Sequence, residues 1–236
     1  QNQYYYQNQI TQLPGINHLI AWGSGKIYTV GQTFADTIGY IGKRHQIATL
    51  GVDLRSQTVT MAARREKRKQ IVIQTDLGLN AQASELLTRL DWAYFSRWIP
   101  FEISQAEFEN YVFNKTVNPA TVAETEAEVW LDLALVRGML HLLQKQINFN
   151  KETMGRSRQA IRHAWDLIIG SGRILTKTVT SAQALLALLD GLQPAGICRL
   201  VLDQQGVVSA VGGIAKVQSL IAPKIIDQAL TFSSES

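Results

Sequence analysis

The sequence contains a single cysteine, Cys198, in 236 residues. One thiol excludes an internal disulfide framework and a cysteine-rich zinc site, and it fits a reducing compartment, so a cytoplasmic location is expected. Histidine is nearly as scarce. His18, His45, His141 and His163 are scattered, which offers neither metal-ligand spacing nor a triad with serine or Cys198. His163 reads as a satisfied, partly buried imidazole, and Cys198, amid Ile197, Leu200 and Leu202, as an inert core thiol. No segment has the ~18 uninterrupted apolar residues of a membrane span. The opening QNQYYYQNQ lacks the basic start and apolar core of a secretory signal, and its Gln/Asn/Tyr bias marks residues 1–12 as a flexible or artificially appended lead.

What is present suits a buried core: 46% of residues are hydrophobic and 18% charged, the balance of one large domain or two small ones. The net charge of +4 resembles a nucleic-acid footprint until the charges are located. Arg64, Arg65, Lys67, Arg68 and Lys69 lie in one run, RREKRK, so one loop accounts for the excess. A solvated hairpin tip is one reading of that run and contact with an acidic partner the other. No aromatic residue interleaves with it, which argues against single-strand nucleic-acid binding.

Hydrophobic periodicity predicts the organisation. IATLGV (47–52), QTVTMAA and QIVIQTD read as three strands joined by a short turn and the basic tip, an antiparallel meander over 47–75. From Asn80 the period becomes helical. Leu86, Leu87 and Leu90 mark a short helix, SQAEFENYVFNK (104–115) another with Ser104 as N-cap, and Pro119 to Ile147 the longest. In that longest helix Glu124, Glu126 and Glu128 lie early and Arg137 and Lys145 late, the order that the helix dipole favours. AWDLIIGSG then reads as a buried strand, SAQALLALLDGL as a helix with Ser181 near its start and Gly191 near its end, GICRLVLD as a strand and SAVGGIAKVQSLIA as a helix. Strand and helix alternation there implies parallel strands with helical crossovers. The expectation is an α/β domain over 13–232 with one mixed sheet, a helical insertion at about 80–160 and a tail at 233–236. A meander followed by βαβα is the pattern of one subdomain of the actin-like, ribonuclease H-like ATPases.

Candidate site residues fall where such a sheet places ligands, at the carboxyl ends of strands. Gly170-Ser171-Gly172-Arg173 follows one of them: its glycines would let the backbone approach an adenosine, and Arg173 could lie over base or ribose. The alternative is a strand-to-helix turn that needs glycine for geometry alone. Asp53 ends the first strand and could hold nucleotide-bound Mg²⁺ through water. The turn after it, Leu54-Arg55-Ser56-Gln57, has no glycine, so its backbone N–H groups approach phosphate poorly. Arg55 could serve phosphate as a charge or be an ordinary exposed turn arginine. Asp76 and Gly78, after the third strand, could cap the next helix or face the same cleft.

Three stretches, IATLGVDLRSQTVTMAA, IVIQTDLGLN and WDLIIGSGRILTKTVTSAQALLALLDGLQPAGICRLVLDQQGVVSAVGGIA, resemble the later part of the glutamate mutase L family, across roughly residues 13–230. This family is distinct from the mismatch-repair proteins of similar name and belongs to the actin, sugar-kinase and heat-shock-chaperone ATPase superfamily. The resemblance implies an actin-like subdomain in which Gly170, Ser171 and Gly172 match the adenosine loop, Asp53 the first residue of a D-x-G-G-A-T-T phosphate loop, and Thr58 a threonine of that loop. Ser56 and Asp76 join them on the phosphate and metal side. The chain departs from the pattern at that loop's two glycines, and it has no D-x-G-x-x-x-T-K segment, half of the nucleotide clamp. The implied function is therefore a degenerate, non-catalytic nucleotide-binding domain serving as a structural or chaperone-like partner-binding module. One alternative is an ATP–Mg-binding ATPase completed by another subdomain or subunit, acting on a cobalamin-dependent mutase. Another is an adaptor for an acidic partner through 64–69. A protein partner or homo-oligomer is expected, and nucleic acid is not.

Overall fold

A computed structural model describes residues 28–56, 58–74, 83–147, 164–177 and 180–217, with residues 14, 15, 18 and 21; the side chains of 72–74 and 217 are outside the description. The expectations for residues 1–12, Asp76, Gly78, His163 and the tail fall outside the described residues.

The chain enters through helix α1 (Val30–His45) and forms strands β1 (Thr49–Leu54), β2 (Val59–Arg65) and β3 (Arg68–Gln74). Helices α2 (Ala83–Arg89), α3 (Trp92–Ser96), α4 (Gln105–Val117) and α5 (Glu126–Gln144) follow. Strand β4 (Leu167–Ser171), the short α6 (Arg173–Thr176), α7 (Ser181–Leu192), β5 (Arg199–Leu202) and α8 (Val207–Val217) complete the described fold. One five-stranded sheet has the order β3-β2-β1-β4-β5. The first three strands pair antiparallel, while β4 lies parallel to both β1 and β5. The mixed α/β architecture and the single sheet expected from the change of period are what the structure has.

The sheet is covered on both faces, and the period of two sorts side chains between them. Leu50, Val52, Leu54, Met61 and Ile168 join a core with α5 and α7, whereas Ala62, Leu167 and Ile169 pack under α1 and α8. Every residue of β1 is buried as a result. Each such Leu or Ile withdrawn from water contributes about 1.5–3 kcal/mol before entropy is charged against it. Gly51 faces α1, and its missing side chain leaves room for the Ile38 and Phe34 side chains.

Three features of the longest helix differ from the sequence expectation. The longest helix begins at Glu126, not near Pro119, because Thr125 and Glu128 close a capping box that satisfies the first backbone donors. It is buried nearly all round from Leu131 to Leu140 rather than along one stripe, and Val122 lies exposed outside it. Arg137 serves no dipole: it is buried, its Nε donates to Asp190 Oδ2 at 2.8 Å, and its guanidinium lies over Trp98. Helix α7 has the expected bounds, with Ser181 at its start, Gly191 near its end and Gln193 closing it in the left-handed region; Gly191 is needed where the Leu140 side chain passes.

Helix α1 has no counterpart in the sequence reading. Gly31, Gly39 and Gly42 with Thr33 and Thr37 lower its intrinsic propensity, yet Thr29 caps it and its Phe34, Ala35, Ile38 and Ile41 are buried against the sheet. Packing forms this helix where propensity does not. The five-residue α3 was also unanticipated; Asp91 caps it.

The basic run forms a hairpin. Glu66 takes the left-handed conformation at the apex, and residues 66–69 are exposed. Arg64 and Arg65 are half-buried. Lys69 lies 2.6 Å from Asp36 of α1, which also pairs with Lys216 of α8. The expectation of a solvated tip is therefore corrected at Arg64 and Arg65, while Lys69 and Lys216 fasten β3 and α8 to Asp36 of α1. Cys198 is half-buried against the core, with burial raising its pKa, while neighbouring Ile197 is fully exposed. No helix among the described residues is long and apolar enough to cross a membrane.

Candidate functional site

The parallel strands bring three polar side chains together at their carboxyl ends. Asp53 stands opposite Ser171 in the β1–β4 register, and Asp203 follows β5 directly. All three are buried. Ser171 Oγ donates to Asp203 Oδ2 at 3.0 Å, so the end of β4 is tied to the residue after β5. Asp203 also accepts from the backbone N–H groups of Val207 at 2.7 Å and Val208 at 3.1 Å, capping α8. Three bonds to one buried carboxylate hold this corner rigid.

Beside it opens a cleft of about 550 Å³, within the range of small-molecule sites. Its lining includes Arg55, Ser56, Ser171, Gly172, Arg173, Thr176, Lys177 and Asp203, with Ala120 to Val122 and Asp132 from the helical segment. Of the residues singled out in the sequence, Ser56, Ser171, Gly172 and Arg173 therefore share one cavity. Gly170, Asp53 and Thr58 are not on its wall. Gly170 is a β4 residue whose side-chain space is filled by Leu188 and Leu202, so packing accounts for this glycine. Thr58 closes the turn, its carbonyl accepting from Arg55 N at 3.0 Å. That bond points an N–H into the turn, where it cannot serve phosphate.

Gly172 does turn the chain. Its φ of +96° lies in the left-handed region, and a Cβ there would overlap the Leu54 carbonyl. The Gly-Ser-Gly pattern is thus part strand and part sharp turn, after which Arg173 opens α6.

Asp53 sits in a dry place, and its pKa is raised above the ordinary carboxylate value. Burial raises its pKa, the Arg55 guanidinium lowers it, and the charge of Asp203 raises it again. Arg55 Nε donates to Asp53 Oδ2 at 2.9 Å, with the Arg55 side chain 42% exposed and Asp53 2%. Asp53 Oδ1 is closed off from solvent without a protein partner.

Across the cleft, Lys115 Nζ lies 2.9 Å from Asp132 Oδ1, and Tyr111 donates to the same oxygen at 2.8 Å. Both Lys115 and Asp132 are buried. Burial raises the Asp132 pKa, opposed by Lys115, while burial and the Asp132 charge push Tyr111 well above the ordinary phenol range. The sequence reading missed Asp132, Asp203, Lys115 and Lys177. Asp203 had a signal: it directly follows the apolar run of a strand, at the carboxyl end where an α/β sheet places ligands.

A magnesium ion, which the actin-like pattern implies, fits these donors poorly. Mg²⁺ keeps several of its waters, but the one oxygen of Asp53 without a partner is enclosed, and its other oxygen already carries Arg55. Asp203 has both oxygens committed to Ser171 and the α8 cap. Among the described residues no group of three or more His, Cys, Asp and Glu could hold a metal.

A family described as MutL protein matches the chain over residues 3–230. No curated protein matches it.

Proposed function

Since the chain belongs to the glutamate mutase L family, we propose that it is an actin-like domain that binds a phosphate-bearing nucleotide without turning it over and serves a cobalamin-dependent glutamate mutase as a partner-binding, chaperone-like module. The strand order and directions, a meander of three followed by two parallel strands, support the actin-like reading. The cleft at the carboxyl ends of β1 and β4 supports a ligand site there. Arg173 and Lys177 on its wall supply charge for phosphate, and Gly172 keeps the wall low beside them.

One observation carries the non-catalytic part of the reading. Among the described residues, no carboxylate at or beside the cleft is disengaged enough to take a proton from water: Asp203 is tied by three hydrogen bonds, Asp53 is enclosed beside Arg55, and Asp132 is held by Lys115 and Tyr111. A general base must reach its proton at hydrogen-bond distance with a lone pair to spare.

Titration calorimetry with ADP and ATP, run beside a phosphate-release assay, tests this. Saturable binding with no release above the buffer rate is the expected result. Release that disappears in Asp53→Ala would show an active ATPase instead. For the partner, the chain and purified glutamate mutase should co-sediment; separate boundaries at all concentrations would remove that part of the reading.

A further inference from the structure

We infer that the cleft holds its phosphate-bearing ligand without a divalent cation, the Arg55 guanidinium standing where the metal of an actin-like site would stand. This rests on the cleft being a phosphate site, as proposed above, and goes further by naming what neutralises the phosphate.

The argument begins with Asp53. A carboxylate buried to 2% exposure needs a counter-charge, because an isolated buried ion costs several kcal/mol. Here Arg55, two residues along the same turn, provides it at 2.9 Å. A guanidinium has five N–H donors in a planar fork, and the bond to Asp53 uses the one on Nε. The same side chain is 42% exposed and lines the cleft. The group therefore meets the carboxylate through Nε while the side chain also borders the ligand space, so one charge can serve both.

The rest of the wall agrees. Arg173 and Lys177 add two cations, while the carboxylates beside them are already satisfied, Asp132 by Lys115 and Asp203 by its hydrogen bonds. The ligand space thus has an excess of positive charge from side chains alone, which suits a bare phosphate or diphosphate. A Mg–phosphate complex brings less negative charge and asks for oxygen ligands that this wall does not offer. Three backbone donors beside the cleft are already engaged, the Arg55 N–H with Thr58 and those of Val207 and Val208 with Asp203. Among the cations on the wall, Arg is the one suited to two parallel bonds to one phosphate.

Calorimetric titration of the whole chain with ADP and with inorganic pyrophosphate, each in excess EDTA and then in excess Mg²⁺, is the test. Binding in EDTA as tight as in Mg²⁺ or tighter, with Arg55→Ala weakening it roughly tenfold or more, is the expected result. The comparison on the unaltered chain stands even if Arg55→Ala folds poorly after leaving Asp53 without its counter-charge. Binding that requires Mg²⁺ would overturn the inference and leave the nucleotide reading intact. Failure of both ligands to bind in either condition would overturn both.

Discussion

The backbone of Gly172 lies so close to the carbonyl of Leu54 that a Cβ would overlap it, and the φ of +96° there is one that L side chains rarely adopt. Two costs coincide in any substitution: about 1–3 kcal/mol for the conformation and a similar amount for overpacking. Gly172→Ala is expected to lose about 3 kcal/mol or more in urea unfolding. A loss under about 1 kcal/mol would show that the β1 and β4 ends can part without penalty.

Tyr111 yields a pH dependence with a definite sign. Its phenol is held neutral by burial and by the Asp132 charge, so its folded pKa lies above the unfolded value of about 10. Above that pH the unfolded chain releases a proton that the folded chain keeps, so stability, complete below pH ~10, falls as pH rises further. Tyr94 is raised by burial as well and acts in the same direction. Tyr111→Phe should therefore make the alkaline fall of the urea midpoint shallower without abolishing it. An unchanged slope would place the loss elsewhere.

The strands were legible because each carries its own signal: β2 alternates in QTVTMAA, and β1 and β4 are short apolar runs next to polar turns. Helix α1 was illegible for the opposite reason. Its three glycines argue against a helix locally, and what justifies Gly42 is distant in sequence, the Thr49 and Arg64 side chains lying where a Cβ would go. The cleft was half legible. Gly172 and Ser171 belong to a recognisable motif, whereas Asp132 and Lys115 look like ordinary residues of two amphipathic helices until Tyr111 and burial bring them together. Arg55 was visible as a charge, but its grip on Asp53 is a property of the folded turn.

The basic hairpin should respond unevenly to charge removal. Lys67→Ser changes an exposed tip residue and should shift stability by no more than about 0.5 kcal/mol. Lys69→Ser removes an ion pair to Asp36 and also the methylene stem packed beside Gly39. A loss of about 1 kcal/mol is expected, larger than that of the tip. Equal effects in thermal unfolding would mean that the pair and its packing contribute nothing.

Asp203 joins the site to the fold, and its neutral analogue separates the two roles. Its carboxylate accepts from Ser171, Val207 and Val208, and those three donors need oxygen lone pairs on both Oδ1 and Oδ2. In Asp203→Asn one oxygen becomes an amide that can only donate, so either the Val207 or the Val208 bond must be lost, whereas the Ser171 hydroxyl can turn to accept from the amide. Each buried donor stranded in this way costs about 1–3 kcal/mol. The substitution is isosteric, so packing is preserved and the loss should appear in unfolding rather than as aggregation. Asp203→Asn also takes one negative charge from a cleft whose lining carries Arg55, Arg173 and Lys177. If the ligand is a phosphate neutralised by those cations, the variant should bind pyrophosphate in EDTA at least as tightly as the parent while unfolding at lower urea. Should Asp203 instead contribute to holding a metal, the same variant would lose Mg²⁺-dependent binding, and the calorimeter tells the two apart on one sample of folded protein.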